Sequence, residues 1–143
     1  MTIRPAHPPD LPMAKGWLNE ARLPVADLTP EHMNGFLIAT VEGRPVGMIG
    51  LEQYGHDGLL RSLFVESGAR GQGFARQLVL ALEQRAEATR VAEVWLLTID
   101  ADRFFSKLGY SVVERSAAPE SIRSTVEFSK LCPGDAVLMS KRL

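Results

Sequence analysis

At 143 residues the chain has the length of one domain with a substantial core, and 45% hydrophobic with 23% charged residues is ordinary for a soluble globular protein. Sixteen Lys and Arg against 17 Asp and Glu leave a net charge of −1 without any basic run, which argues against nucleic acid as the main partner. No apolar stretch approaches the roughly 20 residues of a membrane span, the first five residues lack a signal-peptide core, and one cysteine excludes an internal disulfide, so a cytoplasmic setting without membrane contact is expected.

Taken in order, Ile3-Arg4-Pro5-Ala6 reads as a short strand, and Asp10 is expected to cap a helix running to about Glu20. Residues 23–28 form a loop, and Thr29-Pro30-Glu31-His32 starts a short helix with Thr29 as cap and Pro30 at its first position. Residues 36–41 and 45–53 are two strands of a hairpin turning at Glu42-Gly43-Arg44, and a third strand follows over 59–65. A glycine-rich bend, Arg70-Gly71-Gln72-Gly73, leads into a helix whose apolar residues Ala75, Leu78, Val79, Leu82 and Ala86 keep helical spacing. Val94-Trp95-Leu96-Leu97-Thr98-Ile99 is a buried strand, and residues 102–108 form a short helix ended by Gly109. Strands at 110–113 and 136–140 close the chain, with a helical pattern between them over 118–131 carried by Pro119, Ile122, Val126 and Leu131. Hairpins give antiparallel pairs and helical crossovers parallel ones, so the fold class is α/β with a mixed sheet, in one domain spanning 1–143.

The segment 59–76 carries the chemistry. A strand that ends in glycines at a helix N-terminus is an anion site, because the first helical amides have no intrahelical partner and the dipole end is positive. Gly71 and Gly73 lack a Cβ, which lets a phosphate approach the backbone, and Arg70 and Arg76 add charge beside it. A Walker loop would close on Gly-Lys-Ser/Thr, whereas this turn closes on Gly73-Phe74-Ala75; a dinucleotide fingerprint would need glycine where Arg76 stands. The competing reading is an ordinary strand–turn–helix with solvated arginines.

Arg-x-x-Gly-x-Ala, as Arg70, Gly73 and Ala75, preceded by Leu63-Phe64-Val65, resembles the pyrophosphate-binding signature of the GCN5-related N-acetyltransferases (GNAT). The resemblance implies the GNAT acyltransferase fold, with helices on both faces of a sheet that splays open at the acetyl-CoA site. It implies acetyl-CoA as co-substrate, contacted by Leu63, Phe64, Val65 and the run Arg70, Gly71, Gln72, Gly73, Phe74, Ala75 and Arg76, with Leu63 and Val65 offering backbone to the pantetheine arm. Phe104-Phe105-x-x-Leu108-Gly109-Tyr110 forms a second block. Many family members place there a tyrosine that protonates the leaving thiolate; this sequence has Phe105, which cannot donate a proton and counts only as a cofactor contact. The same departure, together with 118–121, 127–133 and 137–139, is similar to bacterial N-acetylglutamate synthases. Leu23-Pro24-x-x-Asp27-Leu28 and Gly50-Leu51-Glu52-x-Tyr54-Gly55 are similar to short acetyltransferases linked to arsenic-resistance gene clusters.

An amino-acid acceptor must lose a proton before its α-amine attacks the thioester, and a nearby carboxylate does this through a water. Glu52, the acid inside a central strand, is the candidate, against a solvated strand-end role; Ser62 is a second catalytic candidate that orients substrate or merely fills a gap. Arg61, mid-strand among leucines, is the candidate fork for a substrate carboxylate, with pairing to Glu52 as the structural alternative. Tyr54 and Arg123 complete the expected substrate contacts. Cys132 precedes Pro133 at the wrong end of a helix for a nucleophile and reads as a buried thiol. His7, His32 and His56 do not have metal-ligand spacing, and no metal is expected. The expected partner is a small amino-acid-like molecule, with a homodimer left open. A protein N-terminal acetyltransferase and a degenerate CoA-binding regulatory module remain as alternatives.

Overall fold

The computed structural model describes residues 1–23, 25–126, 128–129 and 136–143. Its strands are β1 (Thr2–Pro5), β2 (Phe36–Val41), β3 (Arg44–Tyr54), β4 (Asp57–Val65), β5 (Glu93–Thr98), β6 (Ser111–Val113) and β7 (Val137–Arg142). Its helices are α1 (Leu11–Ala21), α2 (Phe74–Ala88), α3 (Asp102–Lys107) and α4 (Glu120–Arg123), with 3-10 turns at Pro8–Asp10, Pro30–Gly35, Ser67–Ala69 and Arg115–Ala117. The strands form one mixed sheet, as the α/β reading expects, in the order β1-β2-β3-β4-β5-β7-β6. Only β4 and β5, joined through α2, run parallel among the described pairs.

Strand alternation divides the core between the two faces of the sheet. Leu60, Val94 and Leu96 pack with Leu78, Leu82 and Ala86 of α2. Phe36, Ile38, Met48 and Phe64 pack with Trp17 and Leu18 of α1, and Leu59, Trp95 and Leu138 pack with Ile122 of α4. Among the described residues no helix is long and apolar enough to cross a membrane.

Two irregularities position the site. The β3–β4 register passes from Met48↔Phe64 to Gly50↔Arg61, so Ser62 and Leu63 bulge opposite Ile49. Ser62 there adopts φ +61°, a left-handed conformation uncommon outside glycine. The described β4–β5 ladder then runs from Asp57↔Glu93 only to Leu59↔Trp95, while β5 stays paired to β7 along its other edge as far as Thr98. Past Leu59 the sheet opens.

Two local expectations are corrected and one is made more specific. Asp10 does not cap α1: the Pro8–Asp10 turn puts its backbone in helical geometry, and its carboxylate accepts from Arg4 (3.0 and 3.1 Å) and from the His7 amide (2.8 Å). The short helix at Thr29 forms as expected, with Thr29 as its N-cap and Pro30 in its first turn, and is of 3-10 type over Pro30–Gly35; the Thr29 amide donates to His32 Nδ1 at 3.1 Å. In the 118–131 region α4 ends at Arg123, because the Thr125 hydroxyl donates to the Ile122 carbonyl at 2.7 Å and accepts from the Phe128 amide at 3.2 Å, competing with helix bonds. Leu131 and Cys132 lie outside the described residues.

Candidate functional site

The anion loop has the backbone its glycines permit. Gly71 and Gly73 sit at φ +79° and +80°, and a Cβ on either would meet nothing within 4 Å, so the loop's concave side is open. The bond from the Gln77 amide to the Gly73 carbonyl (3.1 Å) opens the helical ladder, which leaves the amides of Phe74, Ala75 and Arg76 ahead of it. Arg70 is braced at the base of the loop: its Nε donates to the Val65 carbonyl at 2.8 Å, and its guanidinium carbon lies 6.0 Å from the Phe64 ring centroid. Gln72 and Arg76 are exposed, whereas Phe74 and Ala75 pack partly on the core. Phe64 stacks on Trp17 with centroids 5.3 Å apart and Val65 is buried, so these side chains anchor β4 beside the gap. Leu63, in the bulge, is half-buried.

On the face of β4 that carries Leu59, a charged cluster surrounds Arg61. Its Nη1 and Nη2 donate to Asp27 at 2.5 and 3.0 Å, Nη1 also donates to Glu52 Oε2 at 2.8 Å, and Nε donates to Ser62 Oγ at 3.0 Å. Tyr54 Oη donates to Glu52 Oε1, and His32 Nε2 lies 3.7 Å from Glu52 Oε2. The side chains of Arg61, Asp27 and Glu52 are 0%, 7% and 10% exposed. Gly50, opposite Arg61, leaves room for the Phe36 ring, from which a Cβ would stand 2.3 Å.

Burial is the largest influence on the Asp27 carboxyl and pushes it up, yet hydrogen bonding and charge from Arg61 outweigh it and hold Asp27 below the usual carboxylate value. Burial, then the bond to Glu52, push the Tyr54 phenol up, so it stays a proton donor.

This geometry revises the sequence reading of Arg61. Both terminal nitrogens are committed to this chain's own carboxylates, so the guanidinium is not a vacant fork for a substrate acid. Glu52, Tyr54, Ser62 and Arg61 are brought together, and Asp27 is the member that sequence reasoning missed. The available signal was the cost of a mid-strand arginine, which called for more than one counter-charge. Asp27, His32 and Glu52 also place ligand-type atoms within 4.8 Å of one another, but the Arg61 guanidinium already supplies the positive charge there.

Arg123 is exposed on α4, whose Ile122 packs over Leu59 and Trp95 on the face from which Arg61 projects. Phe105 does not stand at the cleft as a cofactor contact. It is 4% exposed in the core, edge-on to Phe104 and Tyr110 at 5.0 and 5.5 Å, and Tyr110 is itself tied to Glu83 at 2.9 Å.

Residues 3–110 match the acetyltransferase (GNAT) family model. An uncharacterised N-acetyltransferase of Chlorobaculum tepidum is 30% identical over 115 residues, 79% of this chain and 74% of that protein. N-acetylglutamate synthase from Neisseria gonorrhoeae, solved with coenzyme A and N-acetyl-glutamate, superposes with a TM-score of 0.85 at 19% identity, over 99% of this chain and 35% of its own. The chain thus spans about a third of that enzyme. Rv2747 from Mycobacterium tuberculosis, in complex with CoA and NLQ, superposes with a TM-score of 0.84 at 22% identity, over 100% of this chain and 99% of its own.

Proposed function

The chain belongs to the GNAT acetyltransferase family, and from that premise we propose that it transfers acetyl from acetyl-CoA to the α-amine of a small amino-acid-like substrate. Glutamate or a glutamate analogue is the class to test first, and residues 1–143 act as one acetyltransferase domain. The observation that carries this reading is the opening of the sheet past Leu59 and Trp95 beside the glycine loop at the start of α2. The pyrophosphate sits on the amides of 71–76 with Arg70 and Arg76 beside it, and the pantetheine arm runs along the unpaired edge of β4 at Leu63–Val65.

The acceptor is an ammonium in water, and Glu52 takes its proton through a water so that the neutral amine attacks the thioester carbonyl. Arg61 and Tyr54 fix the Glu52 carboxylate in place, and Asp27 fixes Arg61 in turn. Ser62 accepts from the Arg61 Nε. The tetrahedral intermediate sheds its nitrogen proton to solvent and collapses with loss of the CoA thiolate, which takes a proton back from water; its conjugate acid belongs to a class titrating near 8.5, so no dedicated acid is needed at the Phe105 position. With Arg61 committed, Arg123 is the residue assigned to the substrate carboxylate.

The glutamate preference is supported by the ligands that the Neisseria and Mycobacterium proteins hold, N-acetyl-glutamate and NLQ. The likeness of 23–28 and 50–55 to arsenic-linked acetyltransferases adds arsenic- and phosphorus-bearing glutamate analogues to the panel. The test is turnover with acetyl-CoA over amino acids, their amides, the matching decarboxylated amines and short peptides, with products read by mass spectrometry. The reading expects acetylation of glutamate-type amino acids and little of the amines; preferred acetylation of peptide N-termini, or none of any amine, overturns it.

A further inference from the structure

A second opening lies on the other side of β3. The Pro30–Gly35 turn, the end of β3 and the last turns of α2 enclose a cavity of about 390 Å³, within the size range of small-molecule sites. Leu37, Leu51 and Leu82 give it apolar walls, and Glu31, Glu52 and Arg85 give it charges of both signs. Arg85 Nη2 donates to the Asn34 carbonyl at 2.7 Å, while its Nη1 is buried and has no hydrogen-bond partner among the described residues. A buried guanidinium N–H without an acceptor is costly to leave unmade, and the cavity is where an acceptor enters.

We propose that this cavity is a second small-molecule site, selective for a zwitterion of the α-amino-acid class. A carboxylate supplies the missing acceptor to Arg85, an ammonium faces Glu31, and the short carbon skeleton lies against the three leucines. A simple anion would meet the Glu31 carboxylate in the same lining, and a simple cation would meet the guanidinium; a molecule with both charges matches both. The site is not the acceptor site. No described residue of β4 or β5 lines it; Glu52 touches its rim, but its carboxylate is bonded to Arg61 and Tyr54, and with strands about 4.8 Å apart β3 and β4 stand between the cavity and the gap assigned to the thioester. The ligand assignment does not rest on the acetyl-transfer reading; the claim that the site is separate does.

The experiment uses the full chain with ¹³C-labelled leucine methyls, without acetyl-CoA. L-Alanine and L-glutamine are titrated against propionate and ethylamine, which are alanine without its ammonium and without its carboxylate. The expected result is that the methyls of Leu37, Leu51 and Leu82 shift with the amino acids, and that each single-charge analogue binds at least about tenfold more weakly. Arg85→Met, which keeps the aliphatic stem, is expected to lose the amino-acid response while its melting temperature stays within a few degrees and its acceptor KM is unchanged. Silent leucine methyls, equal binding of a single-charge analogue, or an unchanged response in Arg85→Met overturns the proposal. A KM that rises in parallel with the lost binding makes the cavity the acceptor site and overturns its separateness. If no amine proves to be a substrate, the methyl titrations still decide whether the cavity binds. If Arg85→Met does not fold, the matched analogues on the native chain decide alone.

Discussion

Asp27 holds the Arg61 guanidinium with both carboxylate oxygens, at 2.5 and 3.0 Å, across a sequence separation of 34. The pair is almost wholly withdrawn from water, and with Glu52 it ties the loop after α1 to the central strands. Removing one member leaves the other charge buried, which costs far more than an exposed ion pair is worth. Asp27→Asn is therefore expected to lower unfolding stability at pH 7 by about 3 kcal/mol, toward the lower end for such pairs because Glu52 still neutralises Arg61. The sign of the pH effect follows from the depressed carboxyl. The Asp27 contribution is fully present above the ordinary aspartate value of about 3.9 and disappears as pH falls through the lower folded value. Urea melts across pH 2–7 should show a shallower acid decline in Asp27→Asn than in the parent.

Arg61 and Arg123 separate cleanly by mutation. Arg61→Ala leaves two carboxylates facing each other and is expected to cost about 3–5 kcal/mol of stability, with turnover lost alike for acids and amides. Arg61→Lys restores charge but not the two-pronged contact, and recovers only part of that loss. Arg123→Ala should leave the melting temperature unchanged and raise KM at least about tenfold for carboxylate-bearing substrates alone. Steady-state kinetics on matched acid and amide pairs, alongside melts, reads both.

Phe105→Tyr tests whether an acid is missing. The ring lies between Phe104 and Tyr110, away from water, so the new hydroxyl enters the core. The expected outcome is kcat within a few-fold of the parent, and about 1–3 kcal/mol lost if the hydroxyl finds no partner. A hundredfold rise in kcat would mean that the position reaches the leaving thiolate after all.

The glycine loop and the succession of strands and helices were legible because local residues encode them. Gly71 and Gly73 must take positive φ, and the apolar periods of 36–65 and 75–86 specify hairpins and one crossover helix. The bulge was not legible, because Ser62 takes a left-handed φ that only the surrounding β3–β4 register enforces. Asp27 was hidden for the opposite reason: it lies in a loop of no regular pattern, and its value comes from a partner on a distant strand. The 118–131 helical pattern forms as broken pieces rather than one helix, because apolar spacing at Ile122 and Val126 says nothing about the Thr125 hydroxyl, which takes up helical bonds between them.

The measurement closest to the central claim is acetyl-CoA binding by the parent and by Gly73→Val. At φ +80° a β-branched residue is strained, and its side chain would occupy the open side of the loop, the proposed pyrophosphate site. At a hundredfold excess over Kd, acetyl-CoA should stabilise the parent by about 2.7 kcal/mol in thermal melts, with no comparable shift from NADH. The folded Gly73→Val protein should show no shift with acetyl-CoA. An absent shift in the parent, an equal shift with NADH, or full retention in Gly73→Val would contradict the account.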